Sequence, residues 1–147
     1  MEAIDLDTEF NFGRILAMKR LHDSYHALSE RLEEMSQPIL SDWNTIPELY
    51  ELFKRVFANR PQNNQVYQRQ KFLFTILYLF CPDVLVEEKM PRGLRPILAR
   101  IFHLKSGTPI SDNCSGLLIL YKTYIDFPRD VEIFYNAVMD YIPHDDL

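Results

Sequence analysis

Residues 64–82 read NQVYQRQKFLFTILYLFCP, and this stretch decides the fold. From Phe72 to Cys81 it has ten residues in a row, all apolar or aromatic except one threonine. A helix that is apolar on nearly every face is buried among other elements. A membrane-spanning helix needs roughly 20 apolar residues, so this run is too short to cross a bilayer. We therefore predict a central helix from about Asn64 to the break at Cys81–Pro82, in a protein without a membrane segment.

Amphipathic segments precede this central helix. Residues 45–57, TIPELYELFKRVF, open with Thr45 and Glu48 at the spacing of a capping box, in which the threonine hydroxyl accepts from the glutamate N–H. An apolar stripe at helical spacing follows. Further upstream, a longer helix is predicted from about Phe12 to Met35.

Three more helices are predicted after the central one. The first starts around residues 91–94, the second is capped by Thr108 or Ser111 and runs to about Ile125, and the last has Pro128 at its first position. Residues 83–90, DVLVEEKM, fit either a short helix or an extended link. No stretch alternates as a strand does.

These patterns predict an all-α fold: a single-domain bundle of about six helices over residues 1–147, with a helix-turn-helix-like corner near residues 94–125. A chain of 147 residues can bury a core without disulfides. Residues 1–11 are acidic, lack the features of a signal peptide, and are expected to form a poorly ordered tail. Two cysteines, Cys81 and Cys114, provide neither a disulfide framework nor a zinc-binding spacing, which favours a cytoplasmic location.

The first predicted helix carries an apolar seam with a period of 3.5 residues. The seam consists of Met18, Leu21, Tyr25, Leu28, Leu32 and Met35. Such a seam packs inside a bundle or pairs with a second copy of the chain as a homodimer. Packing in the bundle is favoured, because a coiled coil is normally inferred from at least about three heptads.

No pattern of catalytic residues is visible, so we predict a protein that is not an enzyme and that has no cofactor and no metal. His22 and His26 are four residues apart on one helix face, but a zinc site needs further ligands at recognisable spacing. The two cysteines have no adjacent histidine or lysine to activate them, and we expect both to pack in the core. A site assembled from distant residues would leave no such pattern.

A basic segment is the strongest functional signal. Residues 89–111 contain five lysines and arginines and no acidic residue, in a chain of net charge −5. Such a segment can contact phosphates or an acidic partner. It also precedes the predicted corner, where Ala99 is small enough for a close helix crossing and Gly107 relieves the turn.

The corner resembles a DNA-reading helix-turn-helix only approximately. Its turn lacks the usual glycine near His103, and Asp112 would repel phosphate, although Asn113 suits an adenine edge. The predicted contacts to double-stranded DNA are Arg92, Arg95, Arg100, Lys105, Ser106, Thr108, Ser111 and Asn113.

Residues 68–142 resemble a group of small uncharacterised proteins encoded by phages and mobile elements of gut Bacteroidetes. The runs RQKFLFTILYLFCPDVLVEEKMPRGLRPILARIF, ISDNC and YKTYIDFPRDVEIFYNAVMDYI carry this resemblance. It implies a bacterial or phage cytoplasmic setting and no particular activity. The leading functional expectation is a DNA-binding or transcription-regulatory protein; the alternative is an interaction or assembly module that self-associates through the first helix.

Overall fold

The computed structural model describes residues 9–60, 64–87 and 89–143. These residues form eight α-helices and one 3-10 helix and contain no strand, so the predicted all-α fold is confirmed. The α-helices are α1 Phe12–Met35, α2 Ile46–Val56, α3 Gln65–Phe80, α4 Val84–Glu87, α5 Leu94–Ile101, α6 Thr108–Cys114, α7 Leu117–Thr123 and α8 Asp126–Tyr141; the 3-10 helix is Trp43–Thr45. Of the tail expected over residues 1–11, residues 1–8 lie outside the described residues.

Helix α3 is the central helix, as its apolar run predicts. Nine of its sixteen residues are buried, and it packs against α2, α4, α6 and α8. Its start is capped by Asn64, whose side-chain oxygen accepts from the Tyr67 N–H at 3.1 Å. Rings from three helices meet on one side of α3: the Phe72 centroid lies 5.5 Å from that of Phe53 and 5.7 Å from that of Phe134.

The predicted capping box at the start of α2 is wrong. The Thr45 hydroxyl donates to the Asp42 carbonyl at 2.8 Å and makes no capping hydrogen bond to α2. The reason is that the chain enters α2 through the 3-10 helix, so Thr45 already has helical backbone angles, unlike the extended conformation of a typical N-cap residue.

The helix predicted from Thr108 or Ser111 to Ile125 is two helices, α6 and α7. The chain breaks at Ser115 and Gly116, and Gly116 has a φ of +75°, a conformation that side chains disfavour. Helix α8 begins at Asp126, so Pro128 is its third residue rather than its first. The ambiguous segment after Pro82 contains the short helix α4.

Residue contacts divide the chain into two compact units, residues 1–36 and 37–147. Every residue of the hydrophobic core belongs to the larger unit. The smaller unit contains α1, none of whose 24 residues is buried. No helix among the described residues combines the length and apolar character needed to cross a membrane.

Candidate functional site

The predicted DNA-contacting residues lie around the corner between α5 and α6. Most of them are exposed: Arg92, Arg95, Arg100, Lys105, Ser106 and Thr108, whereas Ser111 is half-buried. Within the described parts of the chain, none of the four basic side chains has a carboxylate within ion-pairing distance. These cations are therefore available to an external anion.

The corner itself is closed by a Schellman motif at the end of α5. The Leu104 N–H donates to the Ala99 carbonyl at 2.8 Å, and the His103 N–H donates to the Arg100 carbonyl at 3.1 Å. His103 has a φ of +58°, which is the left-handed conformation that glycine usually supplies at this position. The turn therefore has the backbone geometry that glycine usually provides, although residue 103 is a histidine.

Arg95 packs against the corner. A Cβ atom added to Gly107 would lie only 2.4 Å from Arg95 Cδ, so the aliphatic part of Arg95 lies over Gly107. Arg95 and Ser111 also line one small cavity of about 60 Å³. The structure therefore brings these two predicted contact residues together.

Asn113 is not part of the exposed surface. Only 7% of the residue is accessible, and its backbone carbonyl accepts from Gln70 Nε2 of α3 at 3.2 Å. Because α6 packs against α3, this face of the helix points into the core. The prediction that Asn113 contacts a base edge is wrong in this structure, while the unfavourable Asp112 is exposed.

The two histidines of α1 interact with carboxylates and not with further ligating side chains. His26 Nε2 lies 3.2 Å from Glu30 Oε1, and His22 Nδ1 lies 3.8 Å from Asp23 Oδ1. In the part of the chain that the structure describes, no three histidine, cysteine or acidic side chains are close enough to hold a metal ion.

The seam of α1 is exposed along its whole length. The exposed fractions are 61% for Met18, 72% for Leu21, 73% for Tyr25, 68% for Leu28, 54% for Leu32 and 71% for Met35. The expectation that this seam is buried in the bundle is therefore not met within one chain. A continuous exposed apolar stripe of this kind is typical of interaction surfaces.

An ion-pair network between α3 and α8 was not visible in the sequence. Lys71 Nζ donates to Asp130 Oδ2 at 2.7 Å, and the same oxygen accepts from Arg60. Lys71 Nζ also lies 3.3 Å from Asp126 Oδ2, and the Tyr67 hydroxyl donates to that carboxylate at 3.0 Å. Lys71 is 2% exposed and Asp130 1% exposed, so this charge pair lies inside the protein.

The network keeps its carboxylates ionised. Burial by itself raises the pKa of Asp130, but hydrogen bonds from Arg60 and Lys71 outweigh it, so the pKa lies below its ordinary value of 3.8. The pKa of Asp126 is lowered in the same way, against burial, by hydrogen bonds from Tyr67 and Lys71. Burial and the bond to Asp126 raise the pKa of Tyr67 to about 12. These shifts favour the ionised pair at neutral pH.

Stability is expected to fall in acid because of these two aspartates. Their folded-state pKa values are lowered, so their contribution is complete above the unfolded value of 3.8 and disappears as the pH falls through the folded values. Urea unfolding between neutral pH and pH ~2 measures this loss. The stability of the Asp130→Asn variant should fall less steeply in acid than that of the wild-type chain. An equal fall in both proteins would assign the loss of stability to other groups.

Both cysteines are buried, as expected, and they are not joined by a disulfide. Burial raises the pKa of Cys81 to about 12. A thiol with such a pKa remains protonated at neutral pH and is a poor nucleophile.

The sequence matches no protein-family model, and comparison with curated proteins and with solved structures finds no significant match. The resemblance to small phage and mobile-element proteins therefore stays a prediction.

Proposed function

We propose that the protein is a non-enzymatic self-association module in which α1 pairs with α1 of a second copy. The observation that carries this proposal is the exposed apolar seam, which extends from Met18 to Met35 on a helix with no buried residue. Self-association through the first helix is also the alternative expectation from the sequence, and the exposure of the seam supports it.

The ends of helix α1 lack the charged and capping side chains that usually stabilise a helix start and complement its dipole. Its N-cap residue Asn11 makes no side-chain capping bond, its first turn has no acidic residue and its last turn has no basic one. Instead Arg14 lies near the start and Glu33 and Glu34 lie near the end, which opposes the helix dipole. Helices in proteins gain most of their stability by packing an apolar face, and none of the 24 residues of α1 is buried.

Charge along α1 favours a second copy in antiparallel orientation. Residues 12–24 contain three basic and one acidic residue, a net charge of +2, and residues 25–36 contain one basic and three acidic residues, a net charge of −2. Antiparallel pairing places each basic half beside the acidic half of the other copy. Parallel pairing would place like charges together, which costs affinity.

The seam is also self-complementary in that orientation. The centred register pairs Met18 with Met35, Leu21 with Leu32 and Tyr25 with Leu28, and brings Lys19 and Arg20 level with Glu34 and Glu33. Most positions beside the seam are small and uncharged, namely Ala17, Ser24, Ser29 and Ser36. They leave the two helices free to approach closely.

The energy available is sufficient despite the shortness of the seam. Fully burying one large apolar side chain contributes about 1.5 to 3 kcal/mol, and a pair of helices brings twelve such side chains together. Association costs roughly 4 to 15 kcal/mol. Full burial of all twelve side chains would therefore exceed that cost.

Disulfide cross-linking tests both the pairing and its direction. We expect Met18→Cys to cross-link with Met35→Cys when the two variants are mixed under mild oxidation, and neither to cross-link with itself. The reason is that two copies of residue 18 lie about 25 Å apart in the antiparallel pair, at 1.5 Å per residue. Self-linking of Met18→Cys would show a parallel pair, and no cross-link in any mixture would contradict the proposal. Native Cys81 and Cys114 are buried, and the wild-type chain is the control.

A second candidate function is contact with duplex DNA through the basic segment. It is favoured by the exposed side chains of Arg92, Arg95, Arg100 and Lys105, which lack carboxylate partners among the described residues. The burial of Asn113 and the exposure of Asp112 argue against base reading by α6, so the expected contacts are to phosphates.

For this second candidate, we expect affinity for duplex DNA that falls steeply as salt rises. Replacing Arg95 and Arg100 by alanine should weaken binding and reduce the salt slope by about two phosphate contacts. Replacing Arg55 of α2 and Lys122 of α7, both exposed, by alanine is the control with the same loss of charge. Equal weakening by both pairs, or no binding at low salt, would exclude the basic segment as a DNA-contacting surface.

A further inference from the structure

A cavity of about 330 Å³ lies between α2, the first turns of α3 and the end of α5. Its walls combine aromatic rings with basic and amide side chains, and none of its lining residues is acidic. They are Tyr50, Phe53, Lys54, Phe57, Arg60, Gln65, Gln68, Arg69, Ile101, Phe102 and His103. Small-molecule sites typically have about this volume and a mainly apolar wall with a few polar groups.

Three cations in this cavity each lie over an aromatic ring that also lines it. Lys54 Nζ is 5.1 Å from the Tyr50 ring centroid, and the Arg60 and Arg69 guanidinium carbons are 4.7 and 5.3 Å from those of Phe57 and Phe102. Such contacts fix a cation against a flat apolar surface. The cavity therefore places positive charge beside aromatic rings of its lining.

The three cations differ in how far they are neutralised. Lys54 lies 2.8 Å from Glu51, and Arg60 pairs with the buried Asp130. Arg69 is half-buried and has no carboxylate partner in the described residues. A guanidinium held in place without a carboxylate has its donors free for a planar anion, which it can bind through two parallel hydrogen bonds.

We infer that this cavity binds a small aromatic anion, an aromatic ring carrying a carboxylate or a phosphate. The anionic group lies against Arg69, the ring lies among Tyr50, Phe57 and Phe102, and Gln65 and Gln68 supply hydrogen bonds to ring or acid heteroatoms. This site is independent of the seam of α1 and of the basic residues proposed to contact DNA.

Four probes test the inference by calorimetry or amide chemical-shift titration of the full chain. Indole-3-acetate represents the aromatic carboxylates, and adenosine 5′-monophosphate represents the aromatic phosphates. Adenosine lacks the phosphate of adenosine 5′-monophosphate, and inorganic phosphate lacks its aromatic part. We expect one or both aromatic anions to bind, and adenosine and phosphate to bind at least tenfold more weakly. Absence of binding by both aromatic anions at millimolar concentration, or equal binding of phosphate alone, would overturn the inference.

Substitutions inside and outside the cavity test where the probe binds. Arg69→Gln should lower the affinity for the probe that binds by about tenfold or more, because a hydrogen bond to a charged group is lost. Arg55→Gln, on the exposed side of α2, removes the same charge outside the cavity and should leave affinity unchanged. Gln68→Glu, which adds a negative charge to the lining, provides a second route if Arg69→Gln is unfolded. Unchanged affinity in a folded Arg69→Gln or Gln68→Glu protein would refute the assigned site.

Discussion

Replacing Lys71 by methionine is expected to lower the free energy of unfolding by about 3 kcal/mol. The substitution keeps the length of the side chain but removes the cation that lies 2.7 Å from Asp130. Asp130 would then be left buried with Arg60 as its main partner, and a buried carboxylate that loses a partner is strongly destabilising. Denaturant unfolding monitored by circular dichroism measures the change.

Two further variants separate the buried pair from charge loss in general. Lys19→Met removes the cation of an exposed pair, in which Lys19 lies 3.0 Å from Asp23, and it should leave stability unchanged because exposed pairs contribute little. The double variant Lys71→Met with Asp130→Leu should be more stable than Lys71→Met alone, since no buried carboxylate that has lost a partner remains inside. If Lys71→Met is as stable as the wild-type chain, the buried pair does not have the role assigned to it.

Replacing Leu21 and Leu28 by glutamate is expected to abolish self-association at micromolar concentrations. Both side chains lie in the seam and are 72% and 68% exposed in the single chain, so the change does not disturb the core. In the antiparallel pair it would bury four carboxylates against apolar side chains, at a cost of several kcal/mol that exceeds the gain from the remaining contacts. Size-exclusion chromatography with light scattering measures the loss.

The matched control introduces two glutamates on helices outside the seam. Val86 and Ile119 are 69% and 67% exposed on α4 and α7, and glutamate at both should leave the assembly intact. Equal dissociation in both double variants would mean that added negative charge, rather than the seam, determines association.

The fold was largely predictable because its helices follow local rules. The helix predicted from about Phe12 to Met35 matches α1, and the uninterrupted apolar run identified α3 as the central helix. Prediction failed where one backbone position decides the path: the positive φ of Gly116 separates α6 from α7. The prediction of a capping box at Thr45 failed for a similar reason. A 3-10 helix precedes α2, and residue spacing alone does not reveal it.

The candidate sites were less predictable because they depend on residues far apart in the sequence. Lys71 and Asp130 are 59 residues apart, and the only local signal was a lysine beside an apolar run. The cavity around Arg69 joins three helices, so no single segment displays it. The exposed cations near Arg95 followed directly from the acid-free segment, whereas the burial of Asn113 depends on how α6 packs against α3.

The seam was recognised from the spacing of its apolar residues, but that spacing does not show what packs against it. A 3.5-residue period is equally suited to packing within a bundle and to pairing between chains. The high exposure of Leu21 and the other seam residues is the observation on which the proposed pairing between chains rests.

Sedimentation equilibrium of the wild-type chain at micromolar concentrations tests the central claim most directly. Pairing of α1 predicts a molar mass of twice the 17.5 kDa of one chain, decreasing toward that value on dilution by mass action. A mass of 17.5 kDa at every concentration would contradict it.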